Sequence, residues 1–448
     1  MTSLVCPIDY RYGRKEMKFI FTEENRLKTL MTVEATLVEA HASSGSIPAD
    51  AAEPIWHVIN SDSVKLERVK EIESEIRHDL MAVVKAMSEQ CGESGKYIHL
   101  GATSYDIIDT ANALQLREAI QVIKKDLKKL ESTLAALAGK HKELTMIGRT
   151  HGQFAVPITL GLKLAVFAME VHRHLERLEQ AEPRICAGKM SGATGSMAAL
   201  GKNAFHIQDY VMEKLCLSTE EAATQIVQRD RMTEFVLILA NISASLEKFA
   251  TEIRNLQRSE IVEIAESFDV EKQVGSSTMA HKQNPITSEN ICGLARIVRG
   301  FVTPTLENVP TWHERDLTNS SAERFILPHV SILTDDILVK MEEVFRNMRV
   351  FPENIKRNLE MSKGLPMAES VMMVLTKKGM GRQDAHEVVR QCSMEAIREK
   401  GHLRDALLKD ERITSLLAEN EIDDALDYDN YTGKSREIVE RVIRIIRG

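Results

Sequence analysis

Residues 116–137 read LREAIQVIKKDLKKLESTLAAL, and the apolar positions Leu116, Ile120, Ile123, Leu127, Leu130, Leu134 and Leu137 follow one another in alternating steps of four and three. Such spacing keeps one stripe of an α-helix apolar and suits packing at a shallow angle on neighbouring helices. A second seam runs through Leu239, Ile242, Leu246, Phe249, Ile253 and Leu256, and a third through Leu160, Leu164, Phe167, Val171, His174 and Leu178. No proline lies between Pro54 and Pro157, between Pro183 and Pro285, or after Pro366, so long helices are permitted. Helices of roughly 25 to 35 residues would each span about 40 to 50 Å. That is more than an ordinary compact domain needs, and it predicts an elongated bundle whose seams are buried partly against other subunits.

The chain shows neither a period-2 strand pattern nor an internal repeat, and it reads as all-α. Three domains are expected. Residues 1–102 would form an N-terminal helical domain, 103–350 the central long-helix bundle, and 351–448 a smaller C-terminal helical domain opening at Phe351-Pro352.

Composition narrows the function classes. The 448 residues carry a formal net charge of −8, which argues against nucleic acid as the main partner, so any anion site must be local. Cys6, Cys91, Cys186, Cys216, Cys292 and Cys392 are scattered without a CxxC pair or a histidine at metal-ligand spacing, the pattern of reduced thiols in a cytoplasmic protein without a metal site. Asp9, Arg11 and Arg14 fall where a signal peptide would need an apolar core. The longest apolar run, from Phe235 to Leu246, is too short to span a bilayer, so no membrane partner is expected.

Some signals mislead. Gly195 to Lys202 resembles a phosphate-binding loop, but five residues separate its glycines where four are needed, and Asn203 replaces the hydroxyl that would reach magnesium. His172 and His174 diverge on a helix, and His174 sits in an apolar seam, where a hydrogen-bonded core histidine is the better reading. The sequons at Asn241 and Asn319 are coincidental in a cytoplasmic chain.

What remains are polar clusters at the expected helix ends: Arg77-His78-Asp79, the stretch from His99 to Asp106, and Arg149-Thr150-His151-Gly152-Gln153, which should close the first seam. Taken alone, Thr103 or Ser104 would serve equally well as a helix N-cap, with Asp106 favourable in the first turn. The segment Gly275 to Pro285 combines close backbone approach at Gly275, the hydroxyls of Ser276 and Ser277, the charge of Lys282 and a helix start after Pro285, a composition suited to an anion.

Together and in this order, the stretches TSYD (103–106) with DTA (109–111), GRTHGQ (148–153) and GSSTMAHKQN (275–284) resemble the fumarase/aspartase superfamily. Within it the chain resembles the adenylosuccinate lyase family through RYGRKEM (11–17), RHD (77–79), TQIVQRDR (224–231) and ENVPTWHERDLTNSSAER (307–324). The likeness runs from about residue 10 to the C-terminus. It implies a homotetramer whose central helices merge into one bundle, with each active site assembled from three subunits. It also implies release of fumarate from adenylosuccinate and from succinylaminoimidazole carboxamide ribotide, two succinylated purine-pathway compounds, with no metal or redox cofactor.

Such an elimination needs a base to take a proton beside one carboxylate, donors for the dianion that forms, and an acid for the departing nitrogen. By resemblance His151 is the acid, supported by His78 from another subunit, and Ser276 is the base. A serine can act so only if cations and backbone donors stabilise its alkoxide. Thr103, Ser104, Ser277, Lys282 and Asn284 would hold the succinyl carboxylates, with amide contacts from Gln225 and Asn290. Arg11, Tyr12, Arg315, Ser320 and Arg324 would bind the ribose phosphate and nearby groups, and Arg77 and Asp79 would also face the substrate.

Two positions depart from the family's usual loop: Ala280 stands where proline is common, and Gln283 where arginine is common. The expectation is weaker substrate binding, with Gln283→Arg lowering KM at low salt. Two other readings stay open here. One is a related enzyme such as a carboxymuconate cycloisomerase, against which the phosphate-binding arginines speak. The other is a silent structural relative, against which His78, His151, Ser276 and Lys282 speak.

Overall fold

In a computed structural model, residues 4–269, 271–279 and 281–448 are described, so Ala280 lies outside the described residues. Thr22 opens the first long helix, α1 (Glu23–Ser43): its hydroxyl accepts from Asn25 N, and two glutamates occupy the first turn, where the helix dipole favours them. Helix α2 (Leu66–Ile76) stops where Arg77 takes a left-handed conformation at φ 56°. His78 then caps α3 (Asp79–Gln90), its Nδ1 accepting from Met81 N at 3.4 Å.

The first seam becomes α4 (Ser104–Lys140), 37 residues long. The chain is mostly helical, as expected, but strands that the sequence did not announce follow α4. Strands β1 (Thr145–Thr150) and β2 (Gln153–Thr159) form an antiparallel hairpin, with a register shift between Ile147 and Arg149. The buried residues of β1, Met146, Ile147 and Gly148, are consecutive, and β2 buries only Pro157 and Thr159, so no sustained alternation marked the hairpin in the sequence. Thr150 pairs with Gln153, leaving His151 (φ 53°) and Gly152 (φ 75°) as a two-residue turn with both dihedrals positive, which matches strand twist. The Arg149–Gln153 cluster therefore forms a hairpin tip and does not close α4.

The other seams become α5 (Leu160–Ile185) and α6 (Asp230–Leu256). Helix α7 (Ile286–Gly300) follows the signature loop, and α8 (Thr318–Arg346), with Pro328 inside it, is a fourth long helix that the proline-free intervals did not reveal. All three seams are buried within the chain itself apart from a half-buried Leu137. This corrects the expectation that part of these seams is buried against other subunits. The large apolar side chains left exposed on these helices are different ones, among them Val166, Leu237, Ile297 and Phe325.

The chain divides into two units. The first comprises Met1–Leu127, Arg173–Leu246 and Gly293–Val339. Here Arg14 joins Asp126 and Asp335, and the buried His174 accepts or donates at Ser245 Oγ, 2.8 Å away. The second comprises Lys128–His172, Glu247–Cys292 and Lys340–Gly448. In it Phe167, Phe249 and Phe345 cluster with ring centroids 4.4 to 6.3 Å apart, and short C-terminal helices share a core that includes Val371, Leu375, Leu403, Leu407 and Ile422. Among the described residues no helix is long and apolar enough to cross a membrane.

Candidate active site

In the first unit, Asp79, Ser320 and Arg324 line one cavity of about 460 Å³, together with Arg26 and Tyr105. Asp79 Oδ2 accepts from Arg324 Nη2 at 2.6 Å, across a sequence separation of 245 residues. His78 and Arg77 are exposed in the turn between α2 and α3, so the cap and the left-handed residue that end one helix and begin the next also present these side chains. Burial, reinforced by the like charge of Arg324, lowers the Arg26 guanidinium from its ordinary value.

Thr103 and Ser104 begin α4, yet neither hydroxyl hydrogen-bonds to the protein among the described residues. Asp106 Oδ2 instead accepts from Thr103 N at 2.8 Å, half of a capping box. The two hydroxyls are thereby left without a protein partner among the described residues. The Asp106 carboxylate also accepts from Ser191 N (2.9 Å), Gly192 N (3.1 Å) and the fully buried Lys189 ammonium. Gln225 joins the same segment, its Nε2 donating to Ala193 O at 3.1 Å. Asp106 was legible as a first-turn acid, whereas Lys189 and Ser191 carry no signal of their own in the sequence, where the nearby glycines resemble only an imperfect phosphate loop.

The arginine-rich stretches are built differently. Gly13 N donates to Asp336 Oδ1 at 3.1 Å, and a Cβ at Gly13 would lie 2.3 Å from Ile332, so only glycine lets the segment after Arg11 and Tyr12 run this close to α8. Arg315 lays its guanidinium 4.0 Å from the Tyr105 ring centroid and donates to Asn319 Oδ1 at 2.5 Å. Its Nη2 is buried and without a hydrogen-bond partner.

The second unit holds the other group. His151 is exposed at the hairpin tip, and Arg149 two residues before it is clamped to the buried Glu263 through two bonds of 2.6 and 2.9 Å. In the signature loop, Ser276 Oγ accepts from Met279 N at 3.0 Å and Thr278 N at 3.3 Å. Donors aimed at the oxygen are what an alkoxide requires. Gly275 has Lys282 O only 1.9 Å from where a Cβ would be, which excludes other residues there. Asn284 Nδ2 donates to Gly275 O at 3.0 Å, so Asn284 braces the loop base.

Lys282 is exposed and without an ion-pair partner among the described residues, Ser277 is exposed, and Asn290 Oδ1 accepts from Lys340 Nζ at 2.7 Å. Lys282 and Asn284 line a basin of about 840 Å³ with Arg254, Arg258 and Arg349. Gln283 turns toward that basin: its Oε1 accepts from Arg349 Nη2 at 2.9 Å, and its backbone carbonyl from Gln257 Nε2 at 3.0 Å.

Known proteins match along almost the whole chain. A lyase family model covers residues 10–300, and a model described as the adenylosuccinate lyase C-terminus covers 364–442. An adenylosuccinate lyase of Pyrococcus abyssi is 54% identical over 442 residues, 99% of this chain and 98% of the relative. One from Methanothermobacter thermautotrophicus is 50% identical over 440 residues, 98% of each chain. The solved 3-carboxy-cis,cis-muconate lactonizing enzyme of Pseudomonas putida shares the fold at TM-score 0.89 over 98% of both chains, but only 32% of its residues. Identity thus sides with the motifs at 11–17, 77–79 and 307–324, and the chain belongs to the adenylosuccinate lyase family.

Proposed function

We propose that this protein eliminates fumarate from adenylosuccinate, giving AMP, and from succinylaminoimidazole carboxamide ribotide. The base removes a proton from the succinyl carbon beside one carboxylate, and the electron pair left behind becomes the new C=C bond as the C–N bond breaks. The nitrogen leaves with a proton from the acid. Ser276 is the base and His151 the acid, with His78 supporting it. Lys282, Asn284, Ser277, Thr103 and Ser104 hold the succinyl carboxylates, Gln225 and Asn290 add amide contacts, Arg11, Tyr12, Arg315, Ser320 and Arg324 take the phosphate and nearby groups, and Arg77 and Asp79 face the substrate.

The observation that carries this reading is Ser276 Oγ under two backbone N–H groups in a loop with an unpaired Lys282. The enzyme acts in the cytoplasm, without metal or redox cofactor, as a homotetramer with sites drawn from three subunits. Exposed Val166, Leu237, Ile297 and Phe325 on the long helices supply apolar surface for that assembly. The test is the ultraviolet change of purified protein with adenylosuccinate, coupled to detection of fumarate. Failure to release fumarate would sink the proposal, and a tetramer mass in solution checks the assembly.

A further inference from the structure

Arg229 sits at the centre of a buried network in the first unit, only 2% exposed. Its Nε donates to Glu323 Oε1 (2.8 Å) and its Nη2 to Glu323 Oε2 (3.2 Å) and Asp109 Oδ1 (3.0 Å). Its Nη1 donates to Asp109 Oδ2 (2.8 Å) and Val227 O (2.5 Å). Every N–H of the guanidinium is used, which fixes the Glu323 carboxylate. Glu323 Oε1 takes one more donor, Asn319 Nδ2 at 2.7 Å.

A carboxylate offers only acceptors, so the Asn319 amide must turn its NH₂ to Glu323 and its oxygen the other way. That oxygen receives Arg315 Nη1. Arg315, Asn319 and Glu323 are spaced four residues apart, and Asn319 is wholly buried, so it meets its partners without competition from water. One arm of Arg315 is held, its plane rests on Tyr105, and the other arm, Nη2, is buried and unpartnered. An arginine so restrained gives up little freedom when it meets an oxyanion.

We infer that Asn319, oriented by Glu323, is a positioning residue that aims Arg315 at the substrate phosphate. The inference rests on the reading of Arg315 as a phosphate ligand. Asn319→Ala should raise KM and weaken inhibition by AMP about tenfold, the scale of one lost charged hydrogen bond, while kcat and inhibition by fumarate stay within about twofold.

Because Asn319 acts through Arg315, Arg315→Ala and the double variant Arg315→Ala/Asn319→Ala should have the same AMP inhibition constant. Asn319→Asp keeps the acceptor for Arg315 and, with one proton shared between the facing carboxyls, should hold AMP inhibition within about threefold of the parent. Unchanged AMP inhibition in Asn319→Ala when Arg315→Ala is weakened would overturn the inference. So would equal losses for AMP and fumarate, or additive effects in the double variant. Unchanged AMP inhibition in Arg315→Ala itself would instead overturn the phosphate reading beneath it.

Discussion

Lys189 and Asp106 form an ion pair in which neither side chain reaches solvent. Such a pair costs desolvation that its mutual attraction only partly offsets, so its value lies in the geometry it imposes. Asp106 gathers Thr103 N, Ser191 N and Gly192 N around one carboxylate and so ties the start of α4 to a segment 85 residues away.

From this follows a contrast between neighbours. Ser104→Ala should leave the melting temperature nearly unchanged, since the hydroxyl bonds to none of the described residues, yet raise KM roughly tenfold if it meets a carboxylate. Asp106→Ala should cost about 3 to 5 kcal/mol by stranding the Lys189 ammonium. Thermal denaturation and KM measured on both variants check the pair. A destabilised Ser104→Ala with unchanged KM would return the serine to a capping role.

His151→Ala and Ser276→Ala should each lower kcat by about 10² to 10⁴-fold, with the oligomer intact. If subunits share sites, mixing the two inactive proteins under conditions of exchange should restore part of the activity. Exchange confirmed by mass without recovery would rule out sharing of these two groups.

Gln283 now carries a different expectation from the one its residue type suggested. Its side chain accepts from Arg349, so Gln283→Arg would set two guanidiniums face to face and forfeit that bond. The arginine should therefore lower KM at low salt only when Arg349→Ala accompanies it. Kinetics of the two single variants and the double at low and high salt decide this. A lower KM in Gln283→Arg alone would mean that the Arg349 contact has no influence on binding.

A pH effect comes from Arg14 and its two acids. Burial pushes the Asp335 carboxyl up to about 6, against the pull of Arg14 and with Asp126 adding to the rise. Between its ordinary 3.8 and 6, the folded chain holds a proton that the unfolded chain has released. This group's contribution is therefore full below about pH 4 and lost as pH rises through 6. Relative to Asp335→Asn, the parent should lose on the order of 2 to 3 kcal/mol between pH 4 and pH 7, measured by denaturant unfolding. Parallel stability profiles would contradict the shift.

The long helices were legible because their seams are local: Leu116 through Leu134 announce a buried stripe by spacing alone, and all six are buried. The GSSTMAHKQN loop was legible because its residue types are unusual together. Helix α8 was obscured by Pro328, and the hairpin by consecutive buried residues. Buried polar networks leave no local trace at all. Arg229 meets Asp109 from 120 residues away and Glu323 from 94, and nothing in the neighbourhood of any one of them signals the others. Tyr105, Lys189 and Glu323 escaped notice for that reason.

Because Thr150 pairs with Gln153 across two residues, the place of His151 is counted out by strand register. Adding or deleting one residue in a strand exchanges its two faces, whereas a substitution leaves the tip where it was. Descendants of this chain can therefore drift in composition along the hairpin but not in length. A gap in residues 145–159 would mark a lineage in which the imidazole has left the hairpin tip.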